Sequence, residues 1–133
     1  MKVLEYLSED GKSPFGIWFE KLDSQAAAKI TAALVRLRCG NTSKVKSIGE
    51  GVQEYKIDWG PGYRIYFGFD GKTLVILVGG GTKRKQVQDI KAAKERWADY
   101  KKRKKGEKRC RSQKNSKIQL WLASDETPNF VQN

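Results

Sequence analysis

Between Val52 and Thr82, three strand-like runs are separated by two strong turn signals, Gly60-Pro61-Gly62 and Asp70-Gly71. No other stretch narrows the choice of fold as much. An Asp-Gly pair between alternating runs favours a hairpin, because a type I′ turn needs positive φ at both central residues. The pattern predicts a three-stranded antiparallel meander. Alternation puts Gln53, Tyr55, Ile57 and Trp59 on one face of the first run and Glu54, Lys56 and Asp58 on the other. In the second run, Tyr63, Ile65, Phe67 and Phe69 oppose Arg64, Tyr66 and Gly68. With the first turn centred on Pro61, Asp58 lies across from Arg64 and Lys56 across from Tyr66. Cross-strand partners share a face, so Lys56, Asp58, Arg64 and Tyr66 form one polar cluster while the aromatic face packs on helices.

The flanking segments supply those helices. Residues 2 to 7 read as a short strand. Pro14 suits a first helical turn, followed by Phe15, Trp18, Phe19 and Leu22 at helical spacing. Ser24 is placed to cap a second helix with Ala27, Ile30, Leu34 and Leu37 as its apolar stripe, ended by Gly40 in a left-handed conformation. Residues 41 to 51 read as a polar loop carrying Lys44 and Lys46. Gly79-Gly80-Gly81 lacks the spacing of a dinucleotide fingerprint and reads instead as a place where the backbone bends or approaches a ligand closely. From Gln86 a terminal helix runs through Ile90, Ala93, Trp97 and Tyr100. The expected architecture is an α+β domain over residues 1–100, with an N-terminal strand, a helical hairpin, the meander and a C-terminal helix, the helices covering one sheet face. Residues 101–133 follow as a basic extension, expected to be mobile over 101–111 and weakly strand-like over Ser116–Ala123.

Charge narrows the choice of partner. The chain of 133 residues carries a formal net charge of +12. Residues 83–111 hold fourteen Lys or Arg against Asp89, Glu95, Asp99 and Glu107, a local excess of +10. Such clustering favours phosphate-bearing partners or an acidic protein. Cys39 and Cys110 are too few for a disulfide framework and read as reduced thiols of a cytoplasmic protein. There is no histidine, which removes His-based acid–base catalysis and His metal sites. The N-terminus meets Glu5 too early for a signal peptide, and no apolar run approaches the ~20 residues of a membrane span.

Metal-free cleavage of RNA needs a base for the 2′-OH, stabilisation of the pentavalent phosphate and a proton for the 5′-oxygen. Without histidine, the groups at hand are Lys56, Asp58, Arg64, Tyr66, Lys83, Arg84 and Asp89, with Lys46 and Lys85 as further cations for an RNA backbone. Arg64 and Arg84 suit phosphate because a guanidinium offers paired donors. Tyr66 suits stacking on a base or donating a proton. Each residue also has a plainer reading. Asp58 with Arg64 is an ordinary cross-strand ion pair, Tyr66 is sheet cover, and Lys83 and Arg84 are solvated.

The segments Phe15-Gly-Ile-Trp18-Phe-Glu-Lys-Leu22, Gly40-Asn41, Lys46-Ser-Ile-Gly49-Glu-Gly51-Val52, Gly60-Pro-Gly62-Tyr-Arg64-Ile-Tyr66-Phe67 and Gly79-Gly-Gly-Thr82-Lys83, with Asp89-Ile90 and Ala93, give residues 1 to 100 a marked likeness. In order and motif the chain resembles the RelE/ParE superfamily of bacterial toxin–antitoxin modules, nearest the HigB-type, phage-derived addiction-module killer proteins. The resemblance implies a microbial-ribonuclease-like fold and a growth-inhibiting toxin held by a cognate helix-turn-helix antitoxin. It also implies ribosome-dependent mRNA cleavage with no cofactor or metal. By matching position it assigns catalytic roles to Arg64, Lys56 and Arg84, with Asp89 contributing; RNA contacts are expected beside them from Lys46, Lys83 and Lys85 by their charge and from Tyr66 by its ring. Asp58 stands where that family keeps a second sheet lysine, and Ile90 near its terminal-helix tyrosine. ParE-like relatives inhibit DNA gyrase without nuclease residues, so a non-enzymatic gyrase inhibitor and a non-toxic basic RNA-binding protein stand as alternatives.

Overall fold

The computed structural model describes residues 1–107. It contains five strands, β1 (Lys2–Glu5), β2 (Val45–Gly49), β3 (Val52–Ile57), β4 (Tyr63–Asp70) and β5 (Leu74–Thr82), and three α-helices, α1 (Pro14–Glu20), α2 (Ser24–Arg38) and α3 (Gln86–Glu107). The strands form one sheet in the order β1-β5-β4-β3-β2, with β1 parallel to β5 and the other pairs antiparallel. The mixed α+β class, the meander and the terminal helix agree with the sequence reading. No helix of the described residues is long and apolar enough to cross a membrane.

Local chemistry sets the helix ends. The Ser13 hydroxyl accepts a 2.8 Å bond from the Gly16 amide and Pro14 occupies the first helical position of α1. Asp23, not Ser24, caps α2 by accepting from the Ala26 amide at 2.8 Å. At its far end the amides of Gly40 and Asn41 donate to the carbonyls of Leu37 and Arg36, with Gly40 at φ 85°, a Schellman closure.

Four expectations about the sheet and its layers are corrected. Residues 45–49, read as loop, form β2. Their apolar residues Val45 and Ile48 pack on opposite sheet faces and a register shift interrupts the pairing between Ser47 and Gly49, so no alternation shows. The β2–β3 turn places both Glu50 and Gly51 at positive φ (54° and 85°), as a type I′ turn requires, whereas after Asp70 only Gly71 is positive and the loop has three residues. Ile57 pairs with Tyr63, so the first meander turn centres on Gly60 rather than Pro61 and the register moves by two. A shift of two preserves faces but changes partners: Lys56 pairs with Arg64, and Glu54 with Tyr66.

The fourth correction concerns the layers. One core, built from Tyr55, Ile57, Ile65, Phe67, Val75 and Leu77, packs on α1 and α2 through Phe15, Ile30, Leu34 and Leu37. A second, from Val52, Tyr66, Ile76 and Val78, packs on Ala93 and Trp97 of α3. Helices therefore cover both faces, because α3 carries its own apolar stripe. Trp97 lies flat on Gly68, where an added Cβ would come within 2.6 Å of the indole.

The helix α3 also runs through the domain boundary expected at residue 100. Beyond Tyr100, Arg103 bonds the Asp99 carboxylate at 2.8 Å and the Leu7 carbonyl, and Lys104 reaches Asp70 at 2.7 Å. Lys101–Glu107, expected as the start of a mobile extension, is helix. The rest of that extension, the strand-like reading of Ser116–Ala123 and Cys110 lie outside the described residues.

Candidate functional site

The sheet face that meets α3 carries an unusual density of polar groups for an interior. Glu54 and Arg64, on adjacent strands, are 3% and 4% exposed. The Arg64 Nε lies 3.7 Å from Glu54 Oε2, and its terminal nitrogen donates to the Gly62 carbonyl at 2.7 Å. Gln86, at the start of α3, donates to the same Glu54 oxygen at 2.9 Å. Beside them Tyr66 is wholly buried. The Tyr66 hydroxyl and Arg64 Nε are buried without a well-formed hydrogen bond, as is Asp89 Oδ2.

Two glycines make room for the helix side chains here. Gly81 pairs with Arg64 and Gly79 with Tyr66 across β4–β5. A Cβ at Gly81 would collide with the Asp89 carboxylate, and one at Gly79 would lie 2.8 Å from the Arg96 guanidinium. On the opposite face a Cβ at Gly80 would strike the Trp18 indole. None of the three has positive φ. The glycine run therefore serves space rather than bending: both helical layers press side chains onto β5.

Electrostatics follow from burial. Tyr66 is pushed above the usual phenol range by desolvation, then by the Glu54 and Asp89 carboxylates, so it stays a neutral phenol at physiological pH. Burial also raises the Asp89 carboxyl, against the opposing pull of Lys85 and Arg96. Around this interior lie exposed cations. Lys56 is 53% exposed and sits 3.5 Å from the exposed Asp58, a pair too solvated to tie it down. Lys83, Arg84 and Lys85 form a 3-10 turn with all three side chains exposed. The Lys83 amide meets the Pro61 carbonyl at 3.4 Å, which holds that turn against the β3–β4 loop.

No family model matches this chain. It is 46% identical over 81 residues to an uncharacterized protein of Haemophilus influenzae, an alignment spanning 60% of this chain and 82% of that protein. The chain belongs to that protein's family.

The sequence-derived candidates divide accordingly. Arg64, Tyr66 and Asp89 come together beneath α3, and Lys56 is the cross-strand neighbour of Arg64. Lys83, Arg84 and Lys85 lie at the same end of the sheet, joined to it through Pro61. Lys46 is exposed on β2, where it pairs with Glu54. Two expected roles change. Arg64 is not an exposed phosphate ligand but a buried partner of Glu54, and Tyr66 presents no free ring for stacking. The expected Asp58–Arg64 pair is replaced by Glu54–Arg64.

Sequence reasoning misses Glu54 as a site residue because it centres the meander turn one residue too late. The alternation signal alone already puts Glu54 on the right face. Chemically the site offers accessible cations from Lys56 and the Lys83–Lys85 turn for a polyanion, and two sheltered carboxylates, Glu54 and Asp89, as proton acceptors.

Proposed function

We propose that this protein is a RelE/ParE-superfamily toxin of HigB type, acting as a ribosome-dependent mRNA endoribonuclease and neutralised in the cytoplasm by a helix-turn-helix antitoxin. The observation that carries the reading is the grouping at one end of the sheet: Lys56 beside Arg64, the exposed Lys83–Lys85 turn, and the Glu54 carboxylate behind them. The element order, a strand and two helices before the meander and a helix after it, supports the same reading. In this mechanism Lys56 and the cations of the turn bind the phosphates flanking the scissile bond. Arg64 holds Glu54 in place, and once the first turn of α3 moves aside a carboxylate of this cluster takes the 2′-OH proton. The 2′-oxygen bonds to phosphorus to close a 2′,3′-cyclic phosphate as the P–O5′ bond breaks, and the Lys56 ammonium gives the departing 5′-oxygen its proton.

Induction in a bacterial host without antitoxin, with translation and plasmid supercoiling followed in parallel, tests this. The expected result is growth arrest with translation halted, supercoiling intact and mRNA cut only when ribosomes are present. DNA breaks with an SOS response would identify a gyrase inhibitor instead, and innocuous induction would leave a basic RNA-binding protein.

A further inference from the structure

Tyr66, the ring expected to stack on an RNA base, is wholly buried, so a base held at this end of the sheet needs another aromatic surface. The junction of β3 and β4 carries one. Trp59 and Tyr63 stack on each other, with ring centroids 6.0 Å apart and planes 23° from parallel. Both are half-buried: they pack against the core under α1 and α2 and keep part of their surface in solvent.

The pair is held rigidly. The Trp59 amide donates to the Ile57 carbonyl at 2.9 Å, and the Gly62 amide to the Trp59 carbonyl at 3.1 Å, which fixes the loop that carries the indole. Gly60, at φ 60°, brings that loop back toward the Tyr63 ring, which a Cβ on Gly60 would approach to 3.7 Å. The Trp18 indole meets the same ring edge-on at 6.2 Å. A ring already fixed in place loses little conformational entropy when a flat ligand settles on it.

The surrounding charge selects the occupant. The exposed Lys29 of α2 places its ammonium over the Trp59 ring, 5.5 Å from the centroid. On the other flank of the loop, Lys83 lies against Gly62 and its amide meets the Pro61 carbonyl, so the Lys83–Lys85 turn starts there. Lys56 stands three residues before Trp59, 3.5 Å from the exposed Asp58 carboxylate. Two strand spacings, about 10 Å, separate the β3 end of this surface from the turn. A single-stranded polynucleotide offers flat rings and phosphates in alternation along its length. A duplex keeps its rings stacked inside, and an acidic peptide brings charge without a ring at every step. The Lys29 ammonium is no obstacle, because an exposed cation–π contact is weaker than the base stack that replaces it.

We infer that the Trp59–Tyr63 pair is a base-stacking subsite for single-stranded RNA. The indole carries one base of the strand whose phosphates lie on Lys56 and the Lys83–Lys85 turn. The inference rests on the RNA-cleaving reading of this end of the sheet and adds to it a hold on the base. Stacking tolerates any sequence, so the subsite orients the strand without choosing its code.

The test is anisotropy titration of the full chain with two labelled 2′-O-methyl oligonucleotides of equal length, one complete and one abasic throughout. Neither can be cut, since both lack a free 2′-OH. The complete strand is expected to bind more tightly than the abasic one. Trp59→Ala should weaken the complete strand by about 5–150-fold, the 1–3 kcal/mol of one stacked base, and leave the abasic strand unaffected. The salt slope should not change, because no phosphate contact is lost. Trp59→Phe should restore most of the affinity. In wild-type NMR spectra the Trp59 indole N–H and the Gly60 and Gly62 amides should move with the complete strand alone, which decides the matter even if Trp59→Ala does not fold. Equal affinity for the two strands, an unchanged affinity in Trp59→Ala, or a Trp59 indole signal that does not move would overturn the subsite. Failure of the nuclease reading shows separately, in the induction experiment, because this titration contains no ribosome and no cleavable bond.

Discussion

Replacing Arg64 by alanine should damage the fold before it says anything about catalysis. The side chain is 4% exposed and faces a carboxylate that is 3% exposed. Removing one member of a buried ion pair leaves the other charge desolvated, at a cost of about 3–5 kcal/mol. The low end applies here, because the pair is 3.7 Å apart and Gln86 continues to donate to Glu54. A loss of about 3 kcal/mol lowers the melting temperature of a domain this size by roughly 9–12 °C. Urea unfolding of wild type, Arg64→Ala and the double variant Glu54→Leu/Arg64→Met is the assay. The double variant should recover most of the loss, since apolar replacement of both partners removes the desolvation penalty rather than exposing it. If Arg64→Ala unfolds within about 0.5 kcal/mol of wild type, the range of ordinary surface changes, the charges are hydrated and the reasoning fails.

The remaining expectations are independent of that pair. Gly81→Ala and Gly80→Ala should each destabilise by about 1–3 kcal/mol through overpacking against Asp89 and Trp18, while Gly106→Ala, with open space around it, should not destabilise; denaturant midpoints compare the three. Because burial raises the Asp89 carboxyl, its ionisation opposes folding, and stability drains as pH rises from the unfolded value through the folded one. Asp89→Asn should therefore stabilise at pH 7 and lose that advantage at pH 3, and equal effects at both would refute it. Asp70 has the opposite sign: burial pushes it up, but hydrogen bonds from Lys104 and Tyr100 outweigh this and hold it below the usual range. Its stabilisation is present above about pH 4 and lost as pH falls through the folded value, so acid unfolding of Asp70→Asn should show a shallower slope. Truncation after Lys101 should lower the melting temperature by removing Arg103 and Lys104, which tie α3 to Asp99, Leu7 and Asp70. In ribosome-binding titrations, every phosphate that the basic extension neutralises should add roughly 0.7–0.9 to the salt slope, so the truncated chain should show a flatter one.

Much of this protein is set by short-range chemistry that the chain carries openly. Ser13-Pro14 opens α1, Gly40 closes α2, and alternation from Gln53 to Phe69 assigns each residue to its face, because caps and pleats depend on neighbours a few positions away. The shared face of Arg64, Lys56 and Tyr66 is legible in the same way, while Asp89 joins them only through the packing of α3 on Gly81. What escapes depends on the third dimension. The bulged strand β2 shows no period, and the centre of the β3–β4 turn is decided by which pairing buries both cores, so Glu54 becomes visible as the partner of Arg64 only with the register known. The glycine triplet reads as a hinge along the chain. Between two helical layers it becomes the space that Trp18, Asp89 and Arg96 occupy, because the volume a residue must leave free is determined by what packs against it from elsewhere.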